Sequence, residues 1–334
     1  MKHIVTNKEK CFTSTGEKLL YHTKEMKKFQ NETKATPIVL HIMPTSICNL
    51  KCEFCSVKDR KVCETLNLET QIIPLIKELK NRGLKAVIIS GGGEPLLYEH
   101  FEKLIEFLYN NNLDIGLITN GTLLYKYNKE LFEKLTWIRI SINSIEYGGI
   151  VNIPKLKNPT IGLSYIVTKK TTNQMLNKIK NLALENNLEY VRLLPDCAQP
   201  QNKIIKWHRK VEEIVEKFGS PFFHQYKVPS CPKNCFLGYF HPVLYCDGNI
   251  YPCDSLVLND HDNQQFKESF MICNSKDIGK IYDNLANKSL VETKTQCPNC
   301  VFERQNNLLV GIKNKKIKIP KKDELKDMKH INFI

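Results

Sequence analysis

Three cysteines with a compact spacing are the residues of this sequence best suited to do chemistry. Cys48, Cys52 and Cys55 follow the pattern C-x3-C-x2-C, directly after an apolar run at residues 38–43. Three thiolates on one short loop can hold three irons of a [4Fe–4S] cluster and leave the fourth iron without a protein ligand. An open coordination position separates a catalytic metal site from a closed structural one, a distinction taken here from zinc sites. The alternatives are scattered core cysteines or a zinc site, whose fourth ligand does not follow nearby.

A glycine-rich stretch forms the second motif. Residues 90–95 read Ser-Gly-Gly-Gly-Glu-Pro and follow another short apolar run. Consecutive glycines let the backbone approach a ligand with no Cβ in the way, and Glu94 adds a hydrogen-bond acceptor. An ordinary glycine turn is the alternative. The position of this stretch, one predicted strand after the cysteine loop, favours a ligand-binding loop.

The two motifs resemble those of the radical S-adenosylmethionine (SAM) superfamily, and Phe54 matches the aromatic residue usual before its third cysteine. The resemblance implies two cofactors: a [4Fe–4S] cluster on the three cysteines and S-adenosyl-L-methionine on the open iron. It also implies that an electron from the cluster splits SAM into methionine and a 5′-deoxyadenosyl radical, which abstracts hydrogen from a substrate. The SAM amino group is thereby assigned to Gly91, Gly92, Gly93 and Glu94.

Polar residues at the ends of later predicted strands extend the candidate SAM pocket. Thr119 and Asn120 end the third strand, although an Asn-Gly turn explains Asn120 equally well. Ser141 and Asn143 end the fourth strand and share a face. The resemblance assigns Ser141 to SAM, and Asn143 stands where related enzymes often have Asp. Arg192 lies in an otherwise apolar strand, so it needs a partner, either a core carboxylate, the SAM carboxylate or an anionic substrate.

Two further residues are candidates for catalysis. Asp196 and Cys197 follow the sixth predicted strand, where a substrate would bind. Either side chain could exchange a proton or a hydrogen atom with that substrate. A loop cysteine without a role is the competing interpretation of Cys197.

The elements that must position these residues alternate between strand and helix. Short runs with β-branched residues predict strands at 38–43, 86–90, 114–119, 137–142, 160–167 and 189–194. Amphipathic stretches predict helices between them, among them 70–80, 101–108 and 175–184. Such alternation builds a parallel sheet whose functional loops follow the C-terminal ends of the strands. We therefore predict an α/β fold with a partial (β/α)6 barrel of the radical SAM type.

A second group of cysteines lies after residue 230. Asp247-Gly248 predicts a β-hairpin, and Cys297-Pro-Asn-Cys300 predicts a metal-binding knuckle. Zinc and an iron–sulfur cluster both accept four thiolates, so the spacing alone leaves the metal open. A fold this small needs a metal to stabilise it.

The order Cys235, twelve residues, Gly248, four residues, Cys253 resembles the opening of the SPASM and twitch domains that extend some radical SAM enzymes. The chain has no cysteine after Cys300, which fits the shorter twitch form. The resemblance implies one auxiliary [4Fe–4S] cluster with the ligands Cys235, Cys253, Cys297 and Cys300. Cys231 or Cys246 could replace one of these, and Cys273 is left unassigned.

Charge and composition limit the classes of partner and the cellular compartment that the sequence allows. The net charge is +14, which indicates either a lysine-rich solvated surface or a polyanionic partner. The basic run 313–322 gives only weak support for nucleic-acid binding. No apolar run approaches the ~18 residues that span a bilayer, and residues 1–10 lack the apolar segment of a signal peptide. We expect a cytoplasmic protein with reduced cysteines and no membrane partner.

These observations predict four regions: 1–36 as an N-terminal cap, 37–220 as the core barrel, 230–305 as the auxiliary-cluster domain and 306–334 as a basic C-terminal tail. The predicted function is a radical SAM enzyme that oxidises or rearranges its substrate with the help of the auxiliary cluster. A sugar, nucleoside or nucleotide is the preferred substrate, because of the twitch form and the basic charge. The alternatives are a peptide-modifying enzyme and a zinc-containing nucleic-acid-binding protein. The electron donor would be a flavodoxin or a ferredoxin.

Overall fold

The computed structural model describes residues 5–60, 64–196, 201–227, 230–256 and 268–334. Its strands form one mixed ten-stranded sheet. They are Val39–Ile42 (β1), Ala86–Ile89 (β2), Asp114–Thr119 (β3), Trp137–Ser141 (β4), Thr160–Val167 (β5), Tyr190–Pro195 (β6), Phe222–His224 (β7), Val243–Leu244 (β8), Asn249–Tyr251 (β9) and Cys273–Asn274 (β10).

Helices follow most of the parallel strands. They are Asn7–Phe12 (α1), Thr23–Glu32 (α2), Ile73–Asn81 (α3), Phe101–Asn110 (α4), Lys129–Phe132 (α5), Asn173–Glu185 (α6), Gln201–Phe218 (α7), Ile278–Asp283 (α8) and Glu303–Lys313 (α9). A π-helical turn at Leu68–Ile72 leads into α3, and short 3-10 helices include Glu17–Tyr21, Pro95–Leu97, Leu124–Lys126, Ile142–Tyr147, Leu237–Tyr239, Glu268–Phe270, Ser275–Asp277 and Lys322–Glu324.

The strand order is β10-β9-β8-β1-β2-β3-β4-β5-β6-β7. The strands from β8 through β1 to β7 run parallel to one another, whereas β9 is antiparallel to both β8 and β10. Each of the six predicted strands is present at its predicted place, so the α/β fold with a parallel sheet is confirmed. Two features were not predicted. β7 adds a strand beyond β6, and the hairpin β8–β9 joins the same sheet through the parallel pair β1–β8. The four predicted regions stay predictions.

The strands place polar side chains on one face and apolar side chains on the other. In β4, Ile138 and Ile140 are buried in the main core, whereas Trp137, Arg139 and Ser141 alternate with them and face a cavity. Alternation along a strand gives this division. The outer apolar face is covered by helices, with α4 on β3 and both α6 and α7 on β6. The same pattern therefore builds the core and the wall of the cavity.

Two glycines make room for the aromatic rings at the start of the strands. A Cβ on Gly116 would lie 2.2 Å from the ring of Trp137, and one on Gly162 would lie 2.2 Å from the ring of Tyr190. In each case the ring belongs to the neighbouring strand, in register with the glycine. These rings close the inward face at the N-terminal end of the sheet, which we call the base of the cavity.

Two segments from distant parts of the chain pack at this base. Arg139 donates to the main-chain carbonyl of Phe12, and Phe12 stacks on Tyr190 with ring centroids 4.5 Å apart. Phe333 packs edge-on against Trp137 at 5.2 Å. Residues 11–18 and 330–334 both contribute to the cavity lining. In the described residues, no helix is both long and apolar enough to cross a bilayer.

Candidate active site

One cavity of about 430 Å³ collects most of the residues singled out from the sequence. Side chains from all six strands β1 to β6 line it. Neighbouring strands lie about 4.8 Å apart, so a flat sheet could not bring β1 and β6 to one cavity of this size. The sheet therefore curls around the cavity as a partial barrel. Cys48, Cys52 and Cys55 all reach it from the loop after β1.

The cysteine loop is held by hydrogen bonds from its own neighbours. The Leu50 amide donates to the Cys48 sulfur at 3.4 Å, and the Arg60 guanidinium lies 3.9 Å from the Cys55 sulfur. Arg60 also donates to the Ser46 carbonyl at 2.7 Å. Burial, together with the neighbouring Cys55 and Cys48 sulfurs, raises the pKa of Cys52 to about 12. Three crowded thiols of this kind are suited to share a cationic metal centre, which binds them as thiolates.

The glycine loop after β2 packs directly on the cysteine loop. The Glu94 amide donates to the Ile47 carbonyl at 2.8 Å. A Cβ on Gly93 would lie 2.0 Å from that same oxygen, so only glycine fits at this contact. Gly91 and Gly93 line the cavity, whereas Gly92 packs against the ring of Tyr245, which would lie 2.9 Å from its Cβ. Of the three glycines, Gly93 thus serves the contact between the two loops.

The buried Glu94 carboxylate joins this loop to the end of β3. One oxygen accepts from the Thr119 hydroxyl and from the Leu96 amide at 3.1 Å, and the other accepts from the Asn120 amide at 2.7 Å. Burial raises the pKa of Glu94 to about 7, although these hydrogen bonds act in the opposite direction and lower it. The sequence interpretation gave Glu94 and Thr119 to SAM. In the structure both side chains already hold two loops together at the edge of the cavity, and their contact with SAM stays a prediction.

Asn120 connects the same edge to the cysteine loop. Its side-chain nitrogen donates to the Asn49 side-chain oxygen at 2.9 Å. Its side-chain oxygen accepts from the main-chain amide and from the hydroxyl of Thr122. Asn49 in turn donates to the Thr122 hydroxyl at 2.8 Å. The turn thus places Asn120 against Asn49 of the cysteine loop and on the cavity lining, and its contact with SAM stays a prediction.

A polar row crosses β4, β5 and β6 one level below the loops. Ser141 pairs in register with Ser164, and Ser164 with Arg192. The Arg192 guanidinium donates to the Ser164 hydroxyl at 2.7 Å and to the Gln225 side chain at 2.9 Å. Ser141, Ser164, Arg192 and Gln225 all line the cavity. Arg192 therefore has neutral polar partners on this row, and its binding of the SAM carboxylate or of an anionic substrate stays a prediction.

Two other predicted residues behave differently. Asn143 lines the cavity, but its amide group is paired with the main chain of Ile166, accepting at 2.7 Å and donating at 3.0 Å. It therefore fixes the loop after β4. Asp196 lines the cavity at the end of β6, and Cys197 lies outside the described residues.

The second group of cysteines forms a separate small pocket. Cys235, Cys253, Cys297 and Cys300, the four predicted ligands, line it together. The Cys300 sulfur accepts from the Cys297 thiol and from the Phe302 amide at 3.3 Å, which lowers the pKa of Cys300. The three other cysteines do not line this pocket: the sulfur of Cys231 points to the Thr293 carbonyl at 3.5 Å, that of Cys246 to Glu64 at 3.7 Å, and Cys273 lies on β10.

Comparisons with known proteins identify the domain around the first three cysteines. The family described as the radical SAM superfamily matches residues 42–183, from β1 through most of α6. This chain carries a radical SAM domain. Its implied cofactors are therefore a [4Fe–4S] cluster and SAM.

Relatives and solved structures extend the comparison. A SAM-dependent nucleotide dehydratase from Fibrobacter is 28% identical over 260 residues, 69% of this chain and 77% of that protein. A GTP 3′,8-cyclase from Staphylococcus epidermidis is 35% identical over 120 residues, 32% of this chain and 34% of the cyclase. The Streptococcus suis SuiB structure with its precursor peptide SuiA has a TM-score of 0.54 at 16% identity, covering 84% of this chain and 73% of SuiB, and shows the fold alone.

The chain spans between a third and two thirds of the length of several other curated relatives that it matches. For a second nucleotide dehydratase this share is 47%.

The arrangement of the thiols in both sets fits a cluster better than a single metal ion. Within the described ranges, no three His, Cys, Asp or Glu side chains converge closely enough to hold one metal ion. A tetrahedral zinc ion needs four sulfurs, each about 2.3 Å from one point. A [4Fe–4S] cluster instead takes each thiolate on a different iron, so it suits a wider arrangement.

Sequence reasoning missed several polar residues inside the radical SAM barrel. His41 on β1 contacts the Ser90 hydroxyl and lies 3.9 Å from the Asp254 carboxylate, and burial lowers its pKa. The ring of His241 lies 6.0 Å from that of His41, and Lys227 lines the same cavity. One signal could have marked His41: it is a polar residue within an apolar strand, and alternation along that strand points its side chain to the inward face.

Proposed function

We propose that this chain is a radical SAM enzyme that acts on a nucleotide and uses an auxiliary [4Fe–4S] cluster as a second redox centre. One observation carries the two-centre part of the proposal. The cavity that receives Cys48, Cys52 and Cys55 is also lined by the residues that directly follow two of the auxiliary cysteines. A substrate in this cavity would lie between the two metal sites.

The side of the cavity that faces the auxiliary site is built from two short segments. Asp254 and Ser255 follow Cys253, and Val301 and Phe302 follow Cys300. Cys253 and Cys300 also line the small auxiliary pocket. The lining residues are therefore the first and second residues after each of these two auxiliary cysteines. Electrons can cross such a short distance, so the auxiliary site is suited to take up an electron from an oxidised substrate.

The chain's own residues would bind SAM and orient it at the upper end of the cavity. When bound, the open cluster and SAM supply a carbon-centred radical that abstracts a substrate hydrogen. Ser141 and Arg192 offer donors to the SAM carboxylate, and the backbone of Gly91 and Gly93 offers polar groups to its amino group. Glu94 keeps the glycine loop and the end of β3 at fixed positions during the reaction.

A fully ligated auxiliary cluster would have a different role from the open one. Four thiolates leave no iron free to chelate a substrate, so its expected role is electron transfer. The Asn306 side chain supports this site, because its oxygen accepts from the main chain of Phe236 at 2.7 Å and its nitrogen lies 3.8 Å from the Cys300 sulfur. Hydrogen bonds to cluster sulfurs tune the reduction potential.

The nucleotide class rests on the relatives and on the charge of the cavity. The nucleotide dehydratase similarity extends over 260 residues, beyond the radical SAM domain itself. Lys18, Arg139, Arg192 and Lys227 line the cavity together with the acidic Glu94, Asp196 and Asp254, and the cationic side chains suit a phosphorylated substrate. A peptide substrate, the first alternative, has the SuiB similarity on its side, which extends to the fold alone. A flavodoxin or ferredoxin as electron donor and a cytoplasmic location stay predictions.

Iron content and SAM cleavage test the two-cluster part. Anaerobic reconstitution should give about eight irons and eight sulfides per chain, as expected for two cubes. A C297A/C300A double variant should keep about four irons and still release 5′-deoxyadenosine with dithionite and SAM. A C48A/C52A/C55A variant should release none. Cys231→Ser, outside both thiol sets, is the matched control and should keep all the iron. Four irons with one zinc in the wild-type protein would remove the auxiliary cluster from the proposal.

A substrate panel tests the nucleotide part. Reconstituted protein with SAM and dithionite is incubated with each of CTP, UTP, GTP and ATP, and 5′-deoxyadenosine and nucleotide products are measured by mass spectrometry. We expect one nucleotide to raise 5′-deoxyadenosine release and to be converted. The C297A/C300A variant should cleave SAM but yield less product. No conversion of any of the four, with turnover of a peptide instead, would contradict the nucleotide assignment.

A further inference from the structure

A buried lysine lies at the base of the cavity, away from the cysteine loop. Lys18 is only 2% exposed and lines the cavity. The chain reaches it through Gly16, whose φ of +88° allows the turn between α1 and the 3-10 helix Glu17–Tyr21. Its ammonium group donates to the Cys11 carbonyl at 2.8 Å. A lysine has three donors, so this contact leaves two for other partners.

An arginine and a histidine reach the same place from other elements. Arg139, on the inward face of β4, donates to the Phe12 carbonyl and lies 3.3 Å from the Tyr190 hydroxyl, with its guanidinium 5.1 Å from the Trp137 ring. His330 contacts the Thr160 hydroxyl at 3.1 Å. Both line the cavity.

The charges of this cluster are not balanced by the part of the chain that the structure describes. Among those residues, no carboxylate lies within the 4.0 Å of an ion pair from Lys18 or Arg139. Burial and the charge of Arg139 lower the pKa of Lys18 to about 7. A buried cation without a counter-ion is costly, so this cluster is suited to receive an anion.

The simpler interpretation is that Lys18 and Arg139 only anchor α1, since each donates to a carbonyl near its C-terminal end. That role would use one hydrogen bond from each side chain. A neutral donor would serve that role equally well, and anchoring α1 does not require a buried lysine beside a half-buried arginine. It also leaves unexplained why both side chains line a cavity that reaches the cysteine loop.

We propose that Lys18 and Arg139, flanked by His330, form an anion subsite at the base of the cavity that binds a phosphate group of the substrate. The proposal rests on the proposed function and specifies how the nucleotide would lie. Arg139 precedes Ser141 by two residues on the same inward face, so it lies about 7 Å below the row that faces SAM, at roughly 3.3 Å per residue. The phosphates would point to the base, and the sugar would point toward the cysteine loop.

Binding of inorganic tripolyphosphate to the reconstituted protein tests the subsite without knowledge of the nucleotide. We expect isothermal titration calorimetry to show binding that weakens as salt is raised. Lys18→Met should weaken it about tenfold or more, the value of one charge-assisted hydrogen bond. Lys18→Arg should retain most of the affinity. Lys24→Met, on the exposed side of α2, is the matched control and should bind as the wild type does.

Three outcomes would overturn the subsite: no tripolyphosphate binding by the wild type, equal binding by Lys18→Met, or preferential binding of malonate, a dicarboxylate measured in parallel. Circular dichroism and iron content verify that each variant folds. If Lys18→Met does not fold, the wild-type protein provides the test. The subsite then predicts that a nucleoside triphosphate binds more tightly than its nucleoside, by about tenfold or more. Conversion of a nucleotide with equal affinity for the nucleoside would refute the subsite and leave the proposed function standing.

Discussion

Replacing Gly93 with alanine should uncouple the two loops that form the upper end of the cavity. The added Cβ would lie 2.0 Å from the Ile47 carbonyl oxygen and 2.6 Å from the Ser46 carbonyl carbon. Real Cβ atoms essentially never approach closer than 3.0 Å. Both neighbours are backbone atoms, so no side chain can rotate away. The backbone just before Cys48 must move by about 1 Å or more to accept the methyl group.

The consequence of this shift falls on the first cluster. An overpacked contact of this kind costs about 1–3 kcal/mol, which a chain of this size can tolerate. A misplacement of about 1 Å at a reacting centre can reduce a rate about 100-fold. We therefore expect Gly93→Ala to fold, to retain the auxiliary cluster, and to lose iron from the cysteine loop or to cleave SAM about 100-fold more slowly.

Iron analysis and 5′-deoxyadenosine release after anaerobic reconstitution measure both effects. Gly279→Ala is the matched control, because the added Cβ there would meet the flexible end of Glu78 at 2.9 Å. The control should keep wild-type iron and activity. Wild-type iron content and wild-type SAM cleavage in Gly93→Ala would show that the two loops do not pack as described.

Three other predictions concern single contacts. The carboxyl of Glu94 ionises near 4.5 when unfolded and at about 7 when folded, so its contribution to the unfolding free energy should fall by about 3 kcal/mol as pH rises through this window. Glu94→Gln should lack that fall in denaturant titrations at several pH values, and parallel pH curves would contradict it. Asn306→Leu leaves two buried amides without their acceptor and should cost about 2–5 kcal/mol by urea unfolding, unlike the exposed Asn307→Leu; equal midpoints would refute this. Gly162→Ala drives a methyl group into the ring of Tyr190 and should lower stability by about 1–3 kcal/mol, and an unchanged melting temperature would argue against the ring contact.

The sequence was informative where local pattern and chemistry coincide. The predicted strands appear in place because each is an apolar, β-branched run between helical periods, and this signal is local. Both cysteine sets gather as predicted: the loop set lines the cavity, and the four auxiliary cysteines line one pocket. Cysteine spacing carries this information where ligands are close in sequence, as in Cys48, Cys52 and Cys55 and in the pair Cys297 and Cys300.

Other features depended on contacts between distant parts of the chain. β8 has two residues, too few for a periodic signal, and its pairing with β1 spans about two hundred positions of sequence. The carboxylate of Glu94 holds Thr119 and the Asn120 amide, a contact that a motif cannot reveal. Lys18 lies in a polar stretch with weak periodicity, and its burial becomes evident only when residues 11–18 are seen packing at the base of the barrel.

Mössbauer spectroscopy of protein reconstituted with iron-57, recorded without and with SAM, tests the central claim most directly. One cluster should have an open iron and the other should be fully ligated by cysteine. SAM should therefore shift the signal of one iron in about eight, and that signal should be absent from the C48A/C52A/C55A variant. A spectrum unchanged by SAM, or a SAM-dependent shift that persists in that variant, would contradict an open cluster on the loop after β1.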